Sequence, residues 1–266
     1  MTRICVAGGT GQAGREVVRQ ALAAGHTVAV VSRNPPPAGT PGRIGSAEYF
    51  RADVTTGEGL AAALAGADVL IDCLEGRSGK ALKNFADGGA RLLAAAQDAG
   101  VAKAVLLSII NCDKSSFGYY KSKAAKEQVY ARCGLETIAF RATQFHSLLA
   151  AIFAAGSKVR IVPVFTNASF QPIAPSDVAA GLLGVALEPP AGIRHQARTV
   201  GGPEIAGMKE LALEWKRASG SRGRLVRLPL PGAMGKYLCE GLNLIPEERH
   251  GTVTFAGWLA MHADSL

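Results

Sequence analysis

The chain has 266 residues, 48% hydrophobic and 19% charged, which suits a globular protein with a sizeable core, and no apolar run approaches the roughly 20 residues that cross a bilayer as a helix. A formal charge of +8 and a pI near 9.4 fit nucleic acid, an acidic membrane surface or anionic small ligands. The densest basic cluster, Lys216, Arg217, Arg222, Arg224 and Arg227, lacks the interleaved aromatics of a single-strand-binding platform, so it is read as a solvated face and no nucleic-acid or membrane partner is expected. From Thr2 the chain runs directly into an apolar segment with no leader pattern, so a cytoplasmic location is expected. Five scattered cysteines, none in C-x-x-C spacing, read as reduced and mostly buried thiols, and no metal site is expected.

In chain order, strand-like apolar runs at 3–7, 27–32, 48–52, 68–73, 102–109 and 136–141 alternate with helical patterns at 12–24, 57–64, 80–99 and 119–133. Gly25, Gly66, Gly100 and Gly134 stand where left-handed caps would end those helices. This rhythm predicts an α/β fold, a Rossmann-like doubly wound parallel sheet. Beyond residue 143 the rhythm changes to a helical run whose buried face is Phe145, Leu148, Leu149, Ile152 and Phe153, then an irregular stretch over 158–175. A helix capped by Ser176 and Asp177 follows, then a helix near 208–219, a strand near 224–228, and helical turns after Pro231 and Thr252. One domain over 1–266 is expected, with its core over 1–143 and a small C-terminal substrate lobe and sheet-edge elements over 144–266.

The first strand runs into Gly8-Gly9-Thr10-Gly11-Gln12-Ala13-Gly14. Its glycines permit a tight turn, close approach of a pyrophosphate and close helix packing, and the helix start offers free amides. Gly8, Thr10, Gly11, Gln12, Ala13 and Gly14 are therefore candidate dinucleotide contacts. At the end of the second strand, Ser32-Arg33-Asn34 replaces the carboxylate that would select NAD, and Arg33 suits a 2'-phosphate, the bland alternative being an exposed turn arginine. NADP(H) is the preferred cofactor and NAD(H) the alternative. Asp53 and Val54 follow the third strand at the adenine side, where an aspartate is also a common helix cap, and Leu74 is counted with them.

Tyr119 and Lys123 lie four apart on a predicted helix, and Ser108 closes the preceding strand. A lysine one turn away favours the ionised phenol, so the Tyr119 pKa is expected to fall below about 10. Tyr119 is then a candidate general acid, Lys123 a ribose ligand and Ser108 a group that orients a substrate carbonyl. His146, near a helix start, is read as an ordinary hydrogen-bonded histidine with no assigned chemistry.

Together these residues resemble the short-chain dehydrogenase/reductase superfamily, in its atypical, NmrA-like NAD(P)H-binding branch. The likeness extends through the run from Tyr119 to Glu127, the run from Cys133 to His146 (including Arg141-Ala142-Thr143-Gln144-Phe145), and Pro172-Ile173-Ala174-Pro175-Ser176-Asp177-Val178-Ala179. The resemblance implies a catalytic Ser108, Tyr119 and Lys123, and a nicotinamide bordered by Ala142, Thr143 and Phe145. Two positions depart from the pattern. The helix asparagine of the family's proton relay has no clear counterpart, since Asn84 lies in the right helix without matching neighbours, and Asn111 stands where a loop glycine is expected. The function implied is NADP(H)-dependent reduction of a small carbonyl or quinone. The alternative is a redox-sensing regulator with little or no turnover, acting through a protein partner; a non-redox use of the cofactor ranks third.

Overall fold

Short runs of β-branched and aliphatic residues bounded by glycine become buried strands, and the computed structural model describes residues 1–263. The first half comprises β1 (Arg3–Ala7), α1 (Gln12–Ala23), β2 (Thr27–Ser32), β3 (Glu48–Arg51), α2 (Leu60–Leu64), β4 (Val69–Asp72), α3 (Gly79–Lys83), α4 (Phe85–Asp98), β5 (Lys103–Ile109), α5 (Gly118–Arg132) and β6 (Glu136–Ala142). Then come α6 (His146–Ser157), β7 (Ile161–Phe165), β8 (Ser169–Phe170), α7 (Pro175–Leu187), β9 (His195–Val200), β10 (Ala206–Gly207), α8 (Met208–Ser219), β11 (Arg224–Leu228), α9 (Gly232–Cys239) and α10 (Phe255–Met261).

The chain divides into two compact units. The first takes Met1–Ser108, Gly118–Arg141 and Val178–Arg198; the second takes Ile109–Phe117, Ala142–Asp177 and the described residues of Thr199–Leu266. A seven-stranded sheet runs β3-β2-β1-β4-β5-β6-β9, the doubly wound Rossmann order extended by one strand. The pairs β1–β2, β1–β4, β2–β3 and β4–β5 are all parallel. Every residue of β4 is buried, as a central parallel strand covered on both faces requires. In the first unit Leu60, Leu64, Leu70, Leu92, Leu93, Leu106 and Tyr130 form a continuous core, each aliphatic side chain contributing about 1.5–3 kcal/mol. Lys103, buried at the start of β5, donates to the Val185 and Glu188 carbonyls at 3.3 and 2.6 Å, so a β5 cation ties the end of α7 within this unit.

Several expected boundaries shift. The helix expected over 80–99 is two, because Asn84 ends α3 and starts α4: its N–H donates to Lys80 and its carbonyl accepts from Gly88. Helix α2 starts at Leu60 rather than residue 57. Gly25, Gly66 and Gly100 take positive φ, but Gly134 does not; there the missing Cβ leaves room for the Gln97 amide, 2.4 Å from where a Cβ would stand.

In the second unit the stretch expected to be irregular contains β7, parallel to β11 in register from Ile161 opposite Arg224 to Phe165 opposite Leu228. Pro163 argues against a strand in sequence, but a two-stranded ladder tolerates a residue with no N–H to give. Ser176 and Asp177 lie inside the first turn of α7, after Pro175, and do not cap it. The Asp177 carboxylate instead accepts from Thr252 N at 2.8 Å, Val253 N at 3.1 Å and Thr252 Oγ1 at 3.0 Å. On α6, Leu149 and Phe153 are buried, Phe153 against Trp215, but Leu148 faces outward at 41% exposure. His146 is fully buried, its Nε2 bonded to the Val253 carbonyl at 2.9 Å and its ring beside those of Phe255 and Trp258. Asn111 adopts φ +48, the left-handed region in which a glycine is expected and asparagine is tolerated, and donates to the Leu242 carbonyl.

Candidate functional site

In the first unit a cleft of about 570 Å³ opens at the C-terminal ends of β1, β2, β3 and β4, where open parallel sheets bind ligands. Gly8, Thr10 and Gly11 form one wall. Gly8 has φ +80, and a Cβ on it would stand 2.8 Å from the Cys73 carbonyl. A Cβ on Gly14 would stand 2.2 Å from Gly8 O, so α1 starts directly against the loop. Gln12, Ala13 and Gly14 open that helix. A bare backbone at the N-terminus of a helix is a cradle for a dinucleotide pyrophosphate, and the residues present fit that group.

Arg33 lines this cleft and an adjoining one of about 360 Å³, which Arg51, Asp53 and Glu58 also line. Asp53 does not cap a helix. Its Oδ1 accepts from Thr55 N at 2.7 Å, and this amide, with a smaller contribution from Arg33, holds the carboxyl below its ordinary range. Val54 and Leu74 also line the main cleft, and Leu74 N donates to Asp72 Oδ1 at 2.9 Å. Cys73 lines the cleft as well, and burial, then the Asp72 carboxylate, push its thiol up, which favours the protonated form.

Helix α5 turns a polar stripe inward: Tyr119, Lys123, Lys126 and Tyr130 follow the 4-3-4 spacing of one helical face. Lys126 and Asp72 form an ion pair at 2.6 Å with side chains 1% and 0% exposed, and the Tyr130 hydroxyl donates to the same carboxylate at 2.7 Å. Burial lowers the Lys126 pKa, with Asp72 opposing, and burial followed by Asp72 raises that of Tyr130. Gly89 of α4 makes room for the Lys126 stem, since a Cβ there would stand 2.8 Å from Cε. Lys126 Nζ sits 4.2 Å from the Phe85 ring centroid and Lys123 Nζ at 5.2 Å.

Glu75, on the loop after β4, joins this stripe to the cleft that it lines. Lys123 Nζ donates to Glu75 Oε1 at 2.9 Å and to the Leu107 carbonyl at 3.3 Å, while Tyr119 Oη donates to Glu75 Oε2. The expected fall in the Tyr119 pKa is reversed. Burial and then the Glu75 carboxylate push the phenol well above its ordinary value. Burial works to raise the Glu75 carboxyl, yet Lys123 and the hydrogen bonds from Tyr119 and Lys123 leave it lowered.

Gly8, Thr10, Gly11, Arg33, Asp53, Val54 and Leu74 therefore share one cleft, and Tyr119 and Lys123 reach it through Glu75. Ser108 is buried beside Leu107, whose carbonyl Lys123 holds. Ala142, Thr143 and Phe145 belong to the second unit. There the Ala142 carbonyl accepts from Ile110 N, Thr143 Oγ1 accepts from Gly202 N at 3.3 Å, and Phe145 bridges Ile173. Sequence reasoning missed Glu75, Arg51, Asp72 and Lys126. Two signals pointed to them: polar residues at or just past the C-terminal ends of β3 and β4, and the continuation of the Tyr119–Lys123 spacing to 126 and 130.

A family model described as NAD(P)H-binding matches residues 8–189. The chain belongs to that family. The atypical short-chain dehydrogenase/reductase resemblance stands with it. The Arabidopsis thaliana protein High Chlorophyll Fluorescence Phenotype 244, chloroplastic, is 34% identical over 146 residues, 54% of this chain and 37% of that relative's length. This NAD(P)H-binding chain thus matches well under half of that relative. Among solved structures, an Escherichia coli NADPH-dependent quinone oxidoreductase complexed with NADPH has a TM-score of 0.76 at 20% identity, covering 97% of this chain and 99% of its own. A UDP-N-acetylglucosamine 4-epimerase from Bacillus cereus has a TM-score of 0.73 at 18% identity, covering 100% and 98%. At such identities the likeness is one of fold. Among the described residues no helix is long and apolar enough to cross a membrane.

Proposed function

We propose that this chain is an NADP(H)-dependent oxidoreductase of the atypical short-chain type that reduces a small carbonyl or quinone. The observation that carries the reading is Glu75, which lines the cleft and holds both Tyr119 Oη and Lys123 Nζ, so that a hydroxyl donor and a fixed ammonium are tied to the cleft through it. When bound, the dinucleotide supplies hydride. The loop from Gly8 to Gly14 holds its pyrophosphate, Arg33 with Arg51 holds the 2'-phosphate, and Lys123 bonds the nicotinamide ribose. Tyr119 gives a proton to the substrate oxygen and Ser108 orients that oxygen. The name of the Escherichia coli structure supports a quinone as the first substrate class to try. A cytoplasmic location, and a small-molecule substrate without nucleic-acid or membrane partners, belong to the same proposal.

The test follows NADPH oxidation with menadione and with a panel of small aldehydes and ketones. Substrate-dependent oxidation that falls about 100-fold or more in Tyr119→Phe is expected. No turnover above background, or a Tyr119→Phe variant as active as the parent, overturns the reading. One observation favours a second reading, a dinucleotide-dependent regulator with little turnover: the Tyr119 phenol is committed to Glu75 and pushed away from ionisation. Under that reading NADPH is not consumed, and its presence changes which proteins a pull-down retains.

A further inference from the structure

Glu75 occupies a place that neither Tyr119 nor Lys123 can fill. Its side chain is 39% exposed, whereas Lys123 is 1% exposed and pinned between Glu75 and the Leu107 carbonyl. The groups facing Glu75 are Tyr119 and Lys123 from α5 and Arg77, at 3.5 Å, from its own loop. Farther in, Lys126 is engaged by Asp72. A half-buried phenol that gives up a proton at each turnover needs a polar route by which to recover one. The group that touches both Tyr119 Oη and the solvent-facing cleft is Glu75.

Resting on the reductase reading, we propose that Glu75 is a proton-relay and positioning residue that links Tyr119 Oη to bulk water, with Lys123 fixing its carboxylate. In the reducing direction the phenol hydrogen turns from Glu75 to the substrate oxygen. The Tyr119 O–H bond breaks and a substrate O–H bond forms, the hydride for the carbonyl carbon being what a bound dinucleotide would supply. Water then delivers a proton to Glu75, which passes it to the phenolate, and the carboxylate is restored. Two neighbouring anions repel, so this return transfer is downhill and the phenol stays protonated between turnovers. Reversal of the same steps carries an alcohol proton out through Glu75.

The test uses the full chain with Glu75→Gln, Glu75→Asp, Tyr119→Phe and the double variant Glu75→Gln/Tyr119→Phe. In cofactor-free protein, tyrosinate ultraviolet absorbance is followed against pH. In Glu75→Gln one tyrosine is expected to titrate about one pH unit or more lower than in the parent. That change is absent from the double variant, and Glu75→Asp stays near the parent. In NADPH-dependent menadione reduction, Glu75→Gln lowers kcat about tenfold or more with KM within about twofold, the loss grows as pH rises, and Glu75→Asp restores most of it. A Glu75→Gln titration superimposed on the parent, or a shift that persists without Tyr119, overturns the proposal. Parental kcat in Glu75→Gln across the pH range removes the relay and leaves the reductase standing. A parent that does not consume NADPH while the tyrosine shift is present removes the reductase reading and supports the hold of Glu75 on the Tyr119 proton.

Discussion

Arg33 and Arg51 flank the cleft beyond β2 and β3, with Asp53 and Glu58 on the same wall, so this end of the cleft mixes two cations with two carboxylates. The Asp53 carboxylate is engaged by the Thr55 amide, and under the proposed function the guanidinium groups are the phosphate partners. Arg33→Ala is expected to raise the NADPH Kd about tenfold or more and to leave the NADH Kd within about twofold, as read by calorimetric titration. Equal losses for the two cofactors would remove the 2'-phosphate assignment. The place of Arg33 on the cleft wall was legible because it sits one residue past a strand in a known loop. The electrostatics of Tyr119 were not, because the only neighbour that sequence places beside it is Lys123, one helical turn away. Burial and then the Glu75 carboxylate reverse the sign of its shift, and that carboxylate comes from 44 positions earlier in the chain.

Helix α5 carries much of what the site needs on a face that hydrophobic periodicity does not mark. Its buried residues include Lys123, Lys126, Glu127 and the two tyrosines 120 and 130, and their charges are met by Asp72, Glu75 and Arg141. The Glu127–Arg141 pair, bonded through two nitrogens at 3.1 and 2.5 Å, ties α5 to β6, which gives a structural reason for two residues in the runs that carry the family resemblance. Lys126→Met leaves Asp72 buried without its cation, with the Tyr130 hydroxyl and the Leu74 amide still donating to its oxygens. Urea unfolding is expected to show a loss of about 3–5 kcal/mol for Lys126→Met, and a smaller loss for Asp72→Asn/Lys126→Met than the sum of the single variants. A cost below about 1 kcal/mol would show that the pair is not what holds β4 to α5. The ladder of β7 with β11 was hidden for a related reason: Pro163 disguises the first strand, and its partner lies some 60 residues on.

For the molecule as a whole, His146 sets a pH dependence of stability. Burial lowers its pKa to about 4, so the folded protein keeps it neutral with Nε2 on the Val253 carbonyl. The unfolded chain takes up a proton near pH 6.5, and the folded chain only near 4. The contribution is therefore complete above about pH 6.5 and is lost progressively as pH falls toward about 4. A loss of about 2 kcal/mol between about pH 7.5 and pH 5 is expected in urea unfolding, and His146→Gln should flatten that interval. An unchanged pH profile in the variant would assign the loss to other groups.

Local pattern sufficed for much of this protein. Period-two and period-3.6 runs separated by glycine specify a βαβ chain, and a glycine loop between β1 and α1 specifies a dinucleotide cradle, because turn geometry and amide supply are properties of a few consecutive residues. Tertiary structure decided the rest. It brought Glu75 to Tyr119 and Lys123, Asp72 to Lys126, and Val178–Arg198 back to the first unit. Electrostatic effects depend on distance in space and on burial, and neither quantity is carried by spacing along the chain.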